Sequence, residues 1–248
     1  MQIEHLDPAY SGSSRAHANF TLAVKLALAF VGVLWLIHFS NFALDLGPDE
    51  LGLRPREWPG LVGVLFAPLL HANFEHLLSN SLPMLVVGTT MLYLYPRASP
   101  RVLPAVYLGP GLAVWLVGRS AVHIGASGII YGLVAYVMLA GLIRRDRRAI
   151  GAALLVCFMY GTLVWGVLPI RTGVSWETHL AAALIGGALA LAFRRMDIPP
   201  RKRYSWDDES AEPAELEPDD DLVERDPPPG EARDGHSLAA PSSEPRSR

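Results

Sequence analysis

The chain has 248 residues, of which 51% are hydrophobic and only 18% are charged, and its formal net charge is −3. This charge is unevenly divided: residues 207–248 hold 14 acidic and 4 basic side chains, which gives −10 there and +7 over residues 1–206. Long apolar runs that stop near residue 196 exclude an ordinary soluble domain and indicate a basic membrane-embedded body with an acidic tail. The single cysteine, Cys157, excludes an intrachain disulfide.

Six apolar runs predict an all-α membrane protein, a bundle of six transmembrane helices. A helix that rises about 1.5 Å per residue needs about 20 residues to cross a hydrocarbon core of ~30 Å. The third and sixth runs are shorter, so flanking residues or local bilayer thinning would have to make up the difference. The runs are residues 20–42, 77–95, 102–117, 124–143, 150–168 and 178–193.

The remaining segments are predicted not to cross the membrane. Residues 61–70 are apolar but too few to span, and Pro68 interrupts them, which favours an interfacial or re-entrant loop. The tail is rich in Pro, Asp, Glu and Ser and poor in large apolar residues, which predicts disorder. We therefore expect a polar N-terminal segment over residues 1–19, a membrane domain over 20–195, and a disordered acidic tail over 196–248.

Basic residues concentrate in alternate connections between the predicted spans. By the positive-inside rule, this pattern places both termini in the cytoplasm and the starts of the second, fourth and sixth spans near the outer face. The residues that carry this argument are Arg97, Arg101, Arg144, Arg145, Arg147, Arg148, Arg194, Arg195, Arg201, Lys202 and Arg203.

Polar residues stand at the start of the second span. His76 and Asn80 are four residues apart, so on a helix they share a face and could donate hydrogen bonds to one group. A polar turn that anchors the span is the alternative, and it is the favoured interpretation of His71 alone. A metal site built from His71, His76, His123 and His179 is disfavoured, because no standard ligand spacing is present.

Ser127 opens the fourth span between two glycines, Gly125 and Gly128. Glycines let the backbone pass closely and leave amides exposed at a helix N-terminus, an arrangement that suits a developing oxyanion. The alternative is close helix packing, because Gly128-x-x-x-Gly132 is a pair of small residues at the spacing common in transmembrane helix contacts.

His179 opens the sixth span and precedes Ala182-x-x-x-Gly186, which predicts a helix packed tightly against a neighbour. Such packing could set His179 beside Ser127, where a neutral imidazole would take the proton of the weakly nucleophilic hydroxyl. Glu177 lies on the wrong side of the helix to be a third member, which favours a Ser-His dyad over a triad.

Three motifs together resemble the rhomboid family of intramembrane serine proteases: His71-x4-His76-x3-Asn80, Gly125-x-Ser127-Gly128 and His179, each on its own predicted span. The resemblance covers roughly residues 20–195. It implies that Ser127 is the nucleophile and His179 the general base, with an oxyanion hole made by His76, Asn80 and the Ser127 backbone amide. It further implies supporting roles for His71, Gly125, Gly128 and Tyr131, the last stacking on His179.

Two departures from the family pattern stand out. Many rhomboids carry a Trp-Arg pair in the first loop, and the region that includes Gly52-Leu-Arg-Pro-Arg56 lacks it, so this loop could sit differently in the membrane. The third position after the span-six histidine is usually glycine but here is Ala182, whose methyl group could widen the gap between the fourth and sixth spans.

The resemblance implies an endopeptidase that cleaves the transmembrane segments of other membrane proteins near their outer ends, within a bacterial plasma membrane. We expect lipid and transmembrane substrates as partners, and no cofactor, metal or nucleic acid. An inactive rhomboid-like protein that binds transmembrane helices is the alternative. A small transporter is weaker still, because the polar residues cluster toward one face of the membrane rather than at its middle.

Overall fold

A computed structural model describes residues 13–45, 47, 50–160, 165–170 and 173–198. Over these residues the chain is helical, with one isolated backbone bridge, so the prediction of an all-α protein is confirmed. The α-helices are α1 (Ser14–Ala43), α2 (Gly63–Phe66), α3 (Phe74–Leu94), α4 (Ser99–Val117), α5 (Ser127–Arg144), α6 (Arg147–Tyr160) and α7 (Trp176–Ala192).

The described helices α1, α3, α4 and α5 are long and apolar enough to cross a membrane. The helix α7 is apolar but shorter, with 17 residues, and α6 ends at Tyr160 in the described part of the chain. The short α2 lies within a helical segment, Pro59–Leu69, where the sequence predicted a non-spanning loop. Residues 161–164, the first 12 residues and the acidic tail from residue 199 fall outside the described residues, so the predictions made for them stand as predictions.

Helix α5 is the central helix of the bundle. It contacts α3, α4, α6 and α7, while α1 packs on α3. A helix that is apolar on every side is stable only when other helices surround it, and the α5 side chains Ile130, Leu133, Tyr136 and Val137 are almost completely buried. The central helix carries Ser127 at its first residue, so the rest of the bundle supports this position.

Helices α5 and α7 approach each other through backbone rather than side chains. A Cβ atom added at Gly186 would collide with the carbonyl oxygen of Gly132, and one added at Gly132 would lie 3.3 Å from the carbonyl oxygen of Ala182. Ala182 is completely buried in this contact. Small residues permit such close approach, and the methyl group of Ala182 is accommodated within it.

At the end of the bundle away from Ser127, polar contacts join the C-terminal ends of α5 and α7 and the start of α4. The carboxylate of Asp197 accepts hydrogen bonds from the backbone N–H groups of Arg97 (3.0 Å) and Ala98 (2.9 Å) at the start of α4. Arg144, at the end of α5, donates from Nη2 to the carbonyl of Phe193 at 2.8 Å. These bonds hold the end of α7 against α4 and α5.

The first loop, which connects α1 to α2, is attached to the helices through Arg56. Arg56 donates from Nη1 to the carbonyl oxygen of Gly118 at 2.6 Å, and the indole of Trp115 donates to the carbonyl of Glu57 at 2.9 Å. Leu53 pairs with His123 through two backbone hydrogen bonds of 3.1 and 2.9 Å. The region that lacks the Trp-Arg pair is therefore anchored to the end of α4 and to the loop that leads to Ser127.

Candidate active site

The start of α3 places His76 and Asn80 toward the site. Asn73 caps this helix, and its Oδ1 accepts a hydrogen bond from the backbone N–H of His76 at 2.8 Å, which satisfies one of the donors left free at a helix N-terminus. Asn80 follows one helical turn later and is buried. Both side chains line the cleft that contains Ser127.

The turn before α5 requires glycine at position 125. Gly125 adopts φ +118°, a conformation that residues with a side chain rarely take, and its N–H donates to the carbonyl of Ala67 at 2.8 Å. A Cβ atom at this position would lie 2.8 Å from Nε2 of His76 and 3.8 Å from Oγ of Ser127. The absence of a side chain therefore leaves room for the His76 ring against the turn that leads into Ser127.

His71 forms a hydrogen bond to the same turn. It is buried, and its Nε2 accepts a hydrogen bond of 3.4 Å from the backbone N–H of Ala126, the residue before Ser127. Burial, with a smaller contribution from the neighbouring His76, lowers the pKa of His71 to about 3. The ring is thus neutral at physiological pH, the state in which Nε2 can act as an acceptor.

Ser127 and His179 form a hydrogen-bonded pair. Oγ of Ser127 lies 2.8 Å from Nε2 of His179, and Nδ1 of His179 lies 2.9 Å from the carbonyl oxygen of Gly166. A carbonyl can only accept, so Nδ1 carries the proton and Nε2 is free to accept the hydroxyl proton of Ser127. The ring of Tyr131 lies parallel to His179, with 4.0 Å between ring centroids and 6° between ring planes.

Gly166 was not singled out from the sequence. It lies within the run 150–168, which the apolar composition predicted as a single helix, and its contribution comes from a backbone carbonyl that any residue possesses. A Cβ atom at Gly166 would collide with the hydroxyl group of Tyr131 and lie 3.3 Å from Nδ1 of His179. The sequence shows a glycine within an apolar stretch at this position, which does not by itself predict a contact with His179.

A cleft of about 740 Å³ opens at the Ser127–His179 pair. It brings together Ser127, His179, His76, Asn80 and Tyr131, while His71, Gly125 and Gly128 lie outside its lining. Gly125 and Gly128 instead border a smaller cavity of about 30 Å³ on another side of Ser127. The cleft is large enough for several residues of an extended peptide to approach the serine hydroxyl.

Comparison with known proteins identifies the family. A family model described as the Rhomboid domain matches residues 59–196, more than half of the chain. The chain belongs to the rhomboid family. It is similar to an uncharacterized protein of Mycobacterium tuberculosis, with 36% identity over 184 residues that cover 71% of this chain and 75% of the relative.

Two further relatives extend the comparison. An uncharacterized protein of Mycobacterium leprae is 34% identical to this rhomboid over 185 residues, 71% of this chain and 72% of the relative. A Bacillus subtilis protein, YdcA, named as a candidate rhomboid protease, is 32% identical over 135 residues, 50% of this chain and 64% of the relative. Family membership and the long apolar helices α1, α3, α4 and α5 identify this rhomboid as an integral membrane protein, and the relatives named here are bacterial.

The histidines that the structure describes do not form a metal site. Across the described ranges of the chain, no three histidine, cysteine, aspartate or glutamate side chains are grouped closely enough to hold a metal ion. His71 and His76 make an edge-to-face contact, with 5.1 Å between ring centroids, and His179 is paired with Ser127. His123 bonds to different partners, Ser175 and the carbonyl of Arg119.

Proposed function

We propose that this rhomboid is an intramembrane serine endopeptidase that cleaves transmembrane segments of other membrane proteins near their outer ends. The observation that carries the proposal is the 2.8 Å contact between Ser127 Oγ and His179 Nε2, with the other ring nitrogen bonded to a carbonyl. A serine hydroxyl becomes a competent nucleophile when a neutral imidazole is placed to take its proton.

The reaction proceeds in two stages. Ser127 Oγ attacks the scissile carbonyl carbon while its proton passes to Nε2 of His179. The tetrahedral intermediate collapses as the C–N bond breaks, and His179 returns the proton to the leaving amine. Water then attacks the acyl-enzyme ester while His179 takes a proton from this water. The ester bond to Ser127 breaks as His179 returns that proton to Ser127 Oγ, which releases the carboxyl product and restores the starting pair.

The tetrahedral intermediate carries an oxyanion that needs hydrogen-bond donors. The side chains of His76 and Asn80 and the backbone amide of Ser127 surround the end of the cleft at the start of α5 and supply these donors. Such donors act in a site with little water, where each is worth more than in solution. Loss of one side-chain donor is expected to lower the rate on the order of 10²–10³-fold.

The substrate is a transmembrane helix that enters from the bilayer and unwinds before cleavage. Unwinding is required because a helix occupies its carbonyl groups with its own hydrogen bonds. In this proposal α6 and α7 complete six membrane crossings with the four long helices, both termini are cytoplasmic, and the site lies in the outer half of a bacterial plasma membrane. No cofactor is required for this chemistry.

The test is cleavage of a transmembrane reporter by the full chain in membranes. Ser127→Ala and His179→Ala should each abolish cleavage above background. Ser40→Ala and His17→Ala, which change the same residue types on the exposed side of α1, serve as matched controls and should cleave at the wild-type rate. If either site variant retains the wild-type rate, the mechanism is wrong.

The alternative, an inactive rhomboid-like protein that binds transmembrane helices, makes a different prediction for a serine-reactive probe. The endopeptidase should be labelled by a fluorophosphonate at Ser127, and labelling should be lost in His179→Ala. A protein that only binds helices should remain unlabelled while still retaining the reporter in a pull-down from detergent.

A further inference from the structure

A second His–Ser contact lies directly upstream of the Ser127–His179 pair. Nδ1 of His123 lies 2.5 Å from Oγ of Ser175, and both residues stand four positions before a member of the first pair. The two contacts have the same separation of 52 residues, with the serine and the histidine exchanged between the two segments. They therefore form two successive links between the segment that leads into α5 and the start of α7.

His123 is held in place by three further bonds. Its backbone N–H and C=O both pair with Leu53 of the first loop, and its Nε2 donates to the carbonyl of Arg119 at 3.2 Å. The side chain is only 5% exposed. Burial lowers the pKa of His123, which favours the neutral ring, with Nε2 as donor and Nδ1 as acceptor of the Ser175 hydroxyl proton.

Ser175 occupies the N-cap position of α7, but its hydroxyl does not bond to a backbone amide of this helix. A serine at this position commonly does so, and thereby stabilises the first turn. Here the hydroxyl contacts His123 and Thr178 instead, each at 2.5 Å. The N-terminal end of α7 is thus held by the loop before α5 rather than by a hydrogen bond from its own N-cap side chain.

The first turn of α7 contains His179, the fourth residue of the helix. Helix ends fray because their first N–H groups lack partners within the helix, so a base in the first turn needs support from outside. Arg119 adds to this support: its Nη2 donates to the carbonyl of Val174 at 2.6 Å and its Nε lies 3.5 Å from Glu177.

We propose that His123 is a positioning residue for the Ser127–His179 pair, and that it acts through Ser175 to hold the first turn of α7 at hydrogen-bonding distance from the start of α5. This inference rests on the proposed function. It assigns His123 no contact with the reacting atoms, and it explains why both the backbone and the ring of this loop residue are fixed.

The test compares His123→Phe, Ser175→Ala and the double variant in the full chain. His123→Phe keeps a ring of similar size without its nitrogens, and Ser175→Ala is the milder change. Each should lower kcat for the transmembrane reporter and the rate of fluorophosphonate labelling of Ser127 on the order of 10–100-fold, because a displacement near 1 Å costs up to about 10² in rate. Both side chains line the cleft, so kcat and KM are measured separately, and the loss should fall on kcat more than on KM. The double variant should be no slower than the slower single variant, and His123→Gln should recover part of the rate.

Ser99→Ala is the matched control. It removes a buried hydroxyl that donates to the carbonyl groups of Met91 (3.0 Å) and Tyr95 (2.8 Å) at the start of α4, the end of the bundle opposite the Ser127 turn. It should lower the unfolding temperature but leave kcat unchanged. The proposal is overturned if His123→Phe retains the wild-type kcat, if the two single effects multiply in the double variant, or if Ser99→Ala lowers kcat equally.

Failure of the proposed function gives a different result from failure of this inference. If the wild-type protein neither cleaves nor labels while it is folded, the endopeptidase proposal fails. The link between His123 and Ser175 is then decided by the unfolding free energies of the same variants. A coupling between the two substitutions supports the link, and purely additive losses overturn it.

Discussion

Gly166 supports His179 in two ways, through its carbonyl oxygen and through the absence of a side chain. Its carbonyl oxygen accepts the Nδ1 proton of His179, and its missing Cβ leaves space for the hydroxyl group of Tyr131. In this rhomboid a backbone carbonyl thus occupies the position that a carboxylate holds in a catalytic triad, where it orients the imidazole and selects its tautomer. In the proposed mechanism a dyad suffices, because the backbone supplies this orientation.

Gly166→Ala should therefore impair the site for a specific steric reason. Overpacking of this kind costs about 1–3 kcal/mol, and we expect a loss of about 10-fold or more in reporter cleavage. The loss should be smaller when Gly166→Ala is made in a Tyr131→Phe background, because the colliding hydroxyl is then absent. A four-variant cycle of cleavage rates measures this, and equal losses in the two backgrounds would contradict the steric explanation.

His71 should make the stability of the protein depend on pH. Its pKa is about 3 in the folded protein and near 6.5 when exposed, so the unfolded chain binds the extra proton between these values. Stability from this residue is fully present above pH 6.5 and falls as the pH decreases toward 3, by at most about 1.4 kcal/mol per pH unit. In detergent, the unfolding temperature of His71→Gln should fall less steeply with decreasing pH than that of the wild type; parallel curves would refute this.

The sequence predicts the residues of the site only where the proposed chemistry requires a particular kind of side chain. Ser127, His179, His76 and Asn80 stand out in the sequence because the proposed roles of nucleophile, base and donors each need particular residue types, and the structure brings these four residues to one cleft. The part played by Gly166 could not be predicted, since its carbonyl is common to all residues. The link from His123 to Ser175 also depends on loop paths that periodicity does not encode.

At the scale of helices, the α5–α7 contact determines the distance between Ser127 and His179. An atom added at Gly186 would meet the backbone of Gly132, where no side chain can rearrange to relieve the collision. The methyl group of Ala182, by contrast, lies in the contact without separating the helices, and the Ser127–His179 hydrogen bond is formed.

Two adjacent glycines of α7 provide a matched test of this contact. Gly186→Ala should lower the unfolding free energy by about 1–3 kcal/mol and reduce cleavage, because the new methyl group meets the Gly132 carbonyl. Gly187→Ala adds the same atom where the nearest neighbour, a Leu139 methyl group, is 3.9 Å away, and should leave cleavage unchanged. Similar activities for the two variants would show that this contact does not govern the site.

The first residues of α1 and α5 differ from the starts of the apolar runs that predicted these helices. Helix α1 begins at Ser14, six residues before the apolar run, because Ser13 caps it and accepts a hydrogen bond from the backbone N–H of Ala16 at 3.2 Å. The predicted start of α5 at residue 124 is three residues early, because Gly125 turns the chain before the helix begins at Ser127. Capping and positive-φ turns set helix ends, while apolar composition indicates only where a span lies.

For the whole molecule, arginine placement predicts the orientation in the membrane. Arg97, Arg144 and Arg194 belong to connections that the Asp197 and Arg144 contacts hold at one end of the bundle, opposite the Ser127 turn. A reporter protein that is active only in the cytoplasm should therefore be active when it is fused after residue 248. In a Cys157→Ser background, the cysteine of Ser120→Cys should react with a membrane-impermeant thiol reagent added from outside. The reverse pattern would place the site at the cytoplasmic face.

Asp197 has a consequence for how the protein is made. Its carboxylate binds two backbone N–H groups at the start of α4, yet it follows Arg97 by 100 residues. During synthesis these two N–H groups cannot gain this partner until residue 197, beyond the end of α7, has been added to the chain. A ribosome-stalled chain that stops before residue 197 should therefore exchange the amide hydrogens of Arg97 and Ala98 faster than the finished protein does.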